Sequence, residues 1–221
     1  MTSLRLGCIG DIHGQRDRLL AVAERLREFD VDGIVAVGDF AAGPFNDPAQ
    51  LGDDPVGAAL RILTGVCPMI VYVPGNHDAP HASPANIDGR SVDWLGLRVH
   101  GVGGGGPRRF GFPYEWTDDD LGRNPPPLCD VLLTHTPPFD TALDRTAHGK
   151  HVGSRTIRDW ALATDGLLVC GHIHESSGVD TVGNCLCYNT GSLGEPFGKA
   201  QLGIAERDNS TRQWTVNHYF I

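Results

Sequence analysis

The chain has 221 residues, 40% of them hydrophobic and 20% charged, the balance of a folded globular protein, which excludes intrinsic disorder. Its 27 acidic residues against 18 basic give a formal net charge of -9, the wrong sign for gripping duplex nucleic acid along a basic face, so any phosphate must be held locally. No apolar run is long enough to span a bilayer, and the six cysteines lack a CxxC pair, which argues for reduced, mostly buried thiols over a disulfide-framed domain.

Residues 4–9 read as a strand. The run is too short for a signal-peptide core and contains Arg5, so the expectation is a cytoplasmic protein. From residue 18 to 29, Leu19, Val22, Ala23, Leu26 and Phe29 recur at helical spacing, and residues 34–37 are the next strand. Asp54 ahead of Pro55 signals a helix start that Val56, Ala59, Leu60 and Leu63 continue, and residues 69–73 form a strand stopped by Pro74 and Gly75. Strand, helix, strand, helix, strand implies parallel pairing through right-handed crossovers. Residues 101–127 break the rhythm with four glycines (103–106), three prolines (125–127) and the aromatics Phe110, Phe112, Tyr114 and Trp116; they are expected to form a long loop whose aromatics cover the sheet, the alternative being that they stack on a base or leaving group. Strands resume at residues 131–134 and 167–170, separated by a helix that Ser154 caps and that turns Ile157, Trp160 and Ala161 to one face. Residues 186–189, 202–205 and 214–219 are expected to be antiparallel strands. Neither a repeat nor a linker interrupts the pattern, so residues 1–221 are expected to be one domain.

Five short motifs each lie just past an expected strand: GDIHG (10–14), GD (38–39), GNHD (75–78), THTPP (134–138) and GHIH (171–174). Ligands of α/β sheets bind beyond the carboxyl ends of strands, so loops distant in sequence can converge on one site. Asp, His and Asn supply the oxygen and imidazole donors that suit divalent transition metals, and no cysteine joins them. In Asp11-x-His13 and His172-x-His174, two such residues stand close enough to serve one metal cluster from a single loop.

With these motifs in this order, the chain resembles the calcineurin-like metallophosphoesterases, and within them the small bacterial and archaeal phosphoesterases related to the Icc cyclic-nucleotide phosphodiesterase, to which the runs GKHVGSRTIRD (149–159) and CGHIHES (170–176) are similar. The resemblance implies a four-layer α-β-β-α sandwich, two mixed central sheets flanked by helices. It implies two transition-metal ions per chain, manganese first with iron or zinc as alternatives. Asp11, His13 and His174 would bind one, Asn76, His135 and His172 the other, and Asp39 would bridge them. His77, with Asn76 beside it, would contact the substrate phosphate and assist the leaving oxygen, with Asp78 orienting the histidine. The expected reaction is hydrolysis of a small-molecule phosphate ester, a diester before a monoester, by attack of a metal-activated hydroxide; the alternatives are a phosphomonoesterase of this fold or a non-catalytic metal-binding scaffold. No stable nucleic-acid binding, membrane association or obligate protein partner is expected. GDFAAG (38–43) departs from the GDxxDRG of Ser/Thr protein phosphatases, which also have Glu where Asp78 stands, and this argues against that branch.

Outside the motifs, His81, His100, His148, His151 and His218 read as structural, His151 least firmly because it lies in GKHVGS. A monoester dianion needs cationic clamps beside the metals, and Arg108, Arg109 and Arg155 are the basic residues expected in site-facing loops, a surface position being the alternative for each.

Overall fold

The computed structural model describes residues 3–43, 50–194 and 198–221. In chain order the elements are β1 (Ser3–Ile9), α1 (Arg16–Glu28), β2 (Gly33–Ala36), α2 (Pro55–Thr64), β3 (Ile70–Tyr72), β4 (Ser91–Trp94), β5 (Leu97–Val102), α3 (Asp118–Gly122), β6 (Val131–Thr134), α4 (Arg155–Leu162), β7 (Leu167–Cys170), β8 (Gly178–Val182), β9 (Cys185–Asn189), β10 (Gln201–Asp208) and β11 (Trp214–Phe220). They form two mixed sheets, ordered β11-β10-β1-β2-β3 and β4-β5-β6-β7-β9-β8. The β1-α1-β2-α2-β3 half pairs in parallel as expected, and β10 closes onto β1 antiparallel.

Alternation along the strands sorts their side chains into three cores, one between the sheets and one on each outer face. Leu6, Cys8, Val35 and Val37 face the other sheet, where Val99, Val131, Leu133 and Val169 meet them. Ile9, Ile34 and Ala36 face outward and are covered by Leu19, Val22 and Leu26 of α1 and Val56, Ala59 and Leu63 of α2. A Cβ on Gly7 would stand 2.5 Å from Leu26 Cδ2, so the glycine lets α1 seat directly on β1. On the far side, Ile157 and Ala161 of α4 cover Leu132, Leu168 and Cys170. The layers therefore run α-β-β-α, with both helix starts built as the sequence indicates: Asp54 Oδ1 accepts from Gly57 N at 2.9 Å, and Ser154 Oγ accepts from Ile157 N at 3.1 Å.

Three expectations need correction. Residues 101–127 are not all loop: β5 runs into their start, and α3 forms because Thr117 and Asp120 make a reciprocal capping box around three consecutive aspartates. The β4–β5 hairpin had no strand assigned to it. The tail is antiparallel at β10 and β11, but β9 enters the second sheet parallel to β7 and antiparallel to β8, because Cys185, Cys187 and Tyr188 are all buried there. All six cysteines are free, and Cys8 and Cys170 are buried strand residues, with burial pushing the Cys8 thiol up to about 12.

Candidate metal centre

All five motif loops leave the carboxyl ends of parallel strands: Asp11 and His13 after β1, Asp39 after β2, Asn76, His77 and Asp78 after β3, His135 after β6, and His172 and His174 after β7. Main-chain hydrogen bonds tie these loops to one another. Asp11 N donates to Gly38 O at 2.9 Å, His13 N to Asp39 O at 2.8 Å, and Gly171 N to His135 O at 2.9 Å. Asp11, His13, Asp39 and His172 adopt positive φ, between 46° and 69°, a cost that backbone of this kind bears mostly at functional sites.

The sequence-selected donors converge as two groups, Asp11 with His13 and His174, and Asp39 with His135 and His172, each offering ligand atoms within 4.8 Å of one another. Asn76 joins the second, its Oδ1 standing 3.0 Å from His135 Nε2. Each aspartate anchors one oxygen on a backbone amide: Asp11 Oδ2 accepts from His172 N at 2.9 Å, and Asp39 Oδ1 from His77 N at 2.9 Å. The other oxygen is aimed inward. Asp11 Oδ1 lies 2.8 Å from His174 Nε2, while Asp39 Oδ2 lies 3.4 Å from His135 Nε2 and 3.7 Å from His13 Nε2, between the two groups.

The motif glycines serve this packing as much as the turns themselves. A Cβ on Gly75 would sit 2.0 Å from Asp39 Oδ1, and one on Gly171 would sit 2.2 Å from Asp11 Oδ2.

The donor set fits a cation. His135 Nδ1 lies 2.6 Å from the Val37 carbonyl, which can only accept, so Nδ1 carries a proton and Nε2 faces the site. There Nε2 meets Asn76 Oδ1 and the Asp39 carboxylate, acceptors that a proton on Nε2 or a bound cation would satisfy. The electrostatics agree. Burial opposes it, but the charge and hydrogen bond of Asp39 push His135 up to about 9, while burial, then the charge of His135, hold His172 down to about 3. Asp39 and Asp11 are both held low by the surrounding histidines in spite of their burial.

His77 stands at the edge of the centre, its Nε2 3.9 Å from Asp39 Oδ2 and its ring centroid 4.3 Å from that of Phe112. Burial lowers its pKa from the ordinary imidazole value. Asp78 lies beneath the same loop, fully buried, with its oxygens accepting from Ala41 N at 2.9 Å and Gly75 N at 2.8 Å; burial and the nearby Asp39 push it up to about 6. Both Asp78 oxygens are therefore engaged by loop backbone. Phe112 had no sequence signal beyond being one aromatic among four in a glycine-rich loop.

A cavity of about 540 Å³ adjoins the centre, with His172 in its wall and Arg109, Phe110, Trp116 and His151 among its lining. Arg108 instead pairs with Asp120 at 3.6 Å, and the Arg155 guanidinium lies 4.0 Å from the Phe139 ring centroid. His151, read from sequence as structural, donates Nδ1–H to the buried Asp144 at 2.6 Å, yet it also faces this cavity. A larger cleft, about 690 Å³, lies near the N-terminal ends of β6 and β7 and holds none of the motif residues.

This arrangement, donors from five strand-end loops closing on two groups within an α-β-β-α sandwich, is that of the calcineurin-like phosphoesterases, and the model of that family matches residues 4–176: the chain belongs to it. Among curated proteins it is similar to the uncharacterized protein MJ1162 of Methanocaldococcus jannaschii, 30% identical over 141 residues, and the matched stretch spans 54% of this chain and 62% of that protein. Among solved structures it resembles TT1561 of Thermus thermophilus, 16% identical over 98% of this chain and 99% of that one with a TM-score of 0.62. It also resembles a dimetal phosphatase from Danio rerio, 12% identical over 91% and 92% with a TM-score of 0.58. At these identities the structural likenesses speak for the fold. Among the described residues, no helix is long and apolar enough to cross a membrane.

Proposed function

We propose that this chain is a binuclear metal-dependent phosphodiesterase acting on a small-molecule phosphate ester. The observation that carries the reading is the Asp39 carboxylate, whose Oδ2 lies 3.4 Å from His135 Nε2 in one donor group and 3.7 Å from His13 Nε2 in the other. In this reading Asp11, His13 and His174 hold one divalent ion, Asn76, His135 and His172 the second, and Asp39 bridges. Two divalent ions would supply Lewis-acid charge for the phosphoryl oxygens and lower the pKa of water from about 15.7 toward about 7. Manganese is the ion we assign first, with iron and zinc as alternatives, since oxygen and imidazole donors accept all three.

The chain's own residues do the rest. His77 reaches the phosphate from the open side, holding a proton at Nε2 for a phosphoryl or leaving oxygen. Its ring is kept in place by Phe112, and Asp78 keeps the loop in place by accepting from Gly75 N and Ala41 N. The preference for diesters rests on countercharge. Arg108 is engaged by Asp120 and Arg155 by Phe139, which leaves Arg109 as the one of these three arginines in the adjoining cavity. A diester monoanion asks less of the site than a monoester dianion. We read residues 1–221 as one domain, because β10 pairs with β1 across most of the sequence, and the free thiols fit a reducing compartment such as the cytoplasm.

Elemental analysis of reconstituted protein tests the centre: two equivalents per chain are expected, and one or none would remove the binuclear reading. A comparison of kcat/KM for bis(p-nitrophenyl) phosphate and p-nitrophenyl phosphate, at one pH and with one metal, tests the preference. A clear advantage for the monoester would reverse it.

A further inference from the structure

The cavity beside His172 has a second property that the metal centre does not require. Phe110, 68% exposed, stands in its lining and presents an aromatic face to it. The exposure is built in. Phe110 N and Gly111 N both donate to the Glu115 carboxylate, at 3.0 Å and 2.8 Å, and Gly111 takes φ of 76°, so a pinned turn holds the ring outward. From there the rings continue inward: Phe110 lies 6.0 Å from Phe112, and Phe112 lies 4.3 Å from His77, centroid to centroid. The buried Trp116 also lines the cavity, with its indole N–H spent on Gly103 O at 2.8 Å, so what it can offer a ligand is ring surface.

Given the phosphoesterase reading on which this rests, we propose that the cavity is the subsite for the organic group of the ester, and that the group it takes is a planar aromatic ring. The volume, about 540 Å³, is within the range of small-molecule sites, and the wall shared with His172 places the ring next to the phosphate. Phe110, Trp116 and Ile173 in the lining supply the apolar surface against which the ring stacks.

Nonhydrolysable phosphonates isolate this from the chemistry. Calorimetric titration of the full chain, with and without manganese, would compare phenylphosphonate, cyclohexylphosphonate and methylphosphonate. Phenylphosphonate is expected to bind at least tenfold more tightly than methylphosphonate and clearly more tightly than the cyclohexyl compound of similar size, because stacking requires a flat ring. In Phe110→Ala, an exposed substitution that the fold tolerates, most of the phenyl advantage is expected to disappear. Equal affinities for the three ligands, including no measurable binding of any, or a phenyl advantage that survives Phe110→Ala intact, would overturn the assignment. Failure of the protein to hydrolyse any ester while the ring preference persists would instead overturn the reaction assigned above and leave the subsite standing.

Discussion

Asp11 accepts a hydrogen bond from the backbone N–H of His172 at 2.9 Å, across 161 residues of sequence. The contact exists only because position 171 has no side chain, since a Cβ there would lie 2.2 Å from the same carboxylate oxygen. Gly171→Ala is therefore expected to push Asp11 out of the first donor group and to disturb the second less, through the amide of His172. Metal analysis should show one equivalent retained and one lost, with a loss of stability of about 1–3 kcal/mol from the forced shift. Retention of both equivalents at wild-type affinity would mean that the Asp11 loop yields without consequence.

Asp39 makes the contrasting case. Its Oδ2 approaches both donor groups, so Asp39→Ala is expected to lower the affinity of both ions together, whereas His174→Ala should weaken chiefly one. Competition with a chromogenic chelator reads this directly. Loss of a single equivalent in Asp39→Ala would show that the carboxylate serves one ion and not two.

His77→Ala is expected to keep its metal content and lose about 10² to 10⁴ in kcat on a diester with a poor leaving group, the usual cost of removing a positioned proton donor. The ring lies outside both donor groups and has Phe112 on one side, so its removal opens space without stripping a ligand. Near-wild-type turnover on that substrate would end its assignment.

Much of this centre was legible in the sequence, and for a physical reason. Strand-end loops of an α/β sheet converge, so Gly-Asp, Asn-His-Asp and His-x-His placed after apolar runs carry their positions with them. The two helix starts at Asp54 and Ser154 were equally plain, because a capping side chain is a local device. What escaped was non-local or faint. The sheet that receives β9 is decided by packing, not by its own five residues. The β4–β5 hairpin turns through Leu95 and Gly96, both at positive φ, without a strong turn dipeptide. Phe112 beside His77, and Asp78 spending its oxygens on Ala41 and Gly75, follow from how the loops stack, which no spacing encodes.

Ser154 joins that local device to the cavity wall. Its hydroxyl accepts from Ile157 N at 3.1 Å to cap α4 and donates to Asp118 Oδ1 in α3, and the side chain is buried. Ser154→Ala should cost about 1–2 kcal/mol, since it removes a cap and leaves a carboxylate without its partner. In a chain of this size that corresponds to a fall in Tm of roughly 2–8 °C. Metal concentration must be held equal in the two melts, because bound ligands shift Tm by mass action. An unchanged Tm would show that the α3–α4 contact contributes nothing to stability.

Arg109 provides the last test, and it bears on which ester the centre prefers. Of the three arginines singled out in the sequence, Arg108 and Arg109 lie in a loop and Arg155 opens α4, and their guanidinium groups have different fates. Arg108 pairs with Asp120 at 3.6 Å and donates to the Glu115 carbonyl at 3.2 Å, and Arg155 rests on Phe139. Arg109 lines the cavity that shares His172 with the metal centre. If any arginine supplies the extra countercharge that a monoester dianion needs, it is this one. Arg109→Ala is expected to lower kcat/KM for p-nitrophenyl phosphate by about tenfold, which corresponds to about 1.4 kcal/mol of lost transition-state stabilisation. The effect on bis(p-nitrophenyl) phosphate should be smaller, because the monoanion leaves less charge to match, so the ratio of diester to monoester activity should rise. Arg108→Ala, measured in parallel, should leave that ratio where it was. A ratio that fell in Arg109→Ala, or moved as far in Arg108→Ala, would show that the arginine's charge does not select between the two classes of ester.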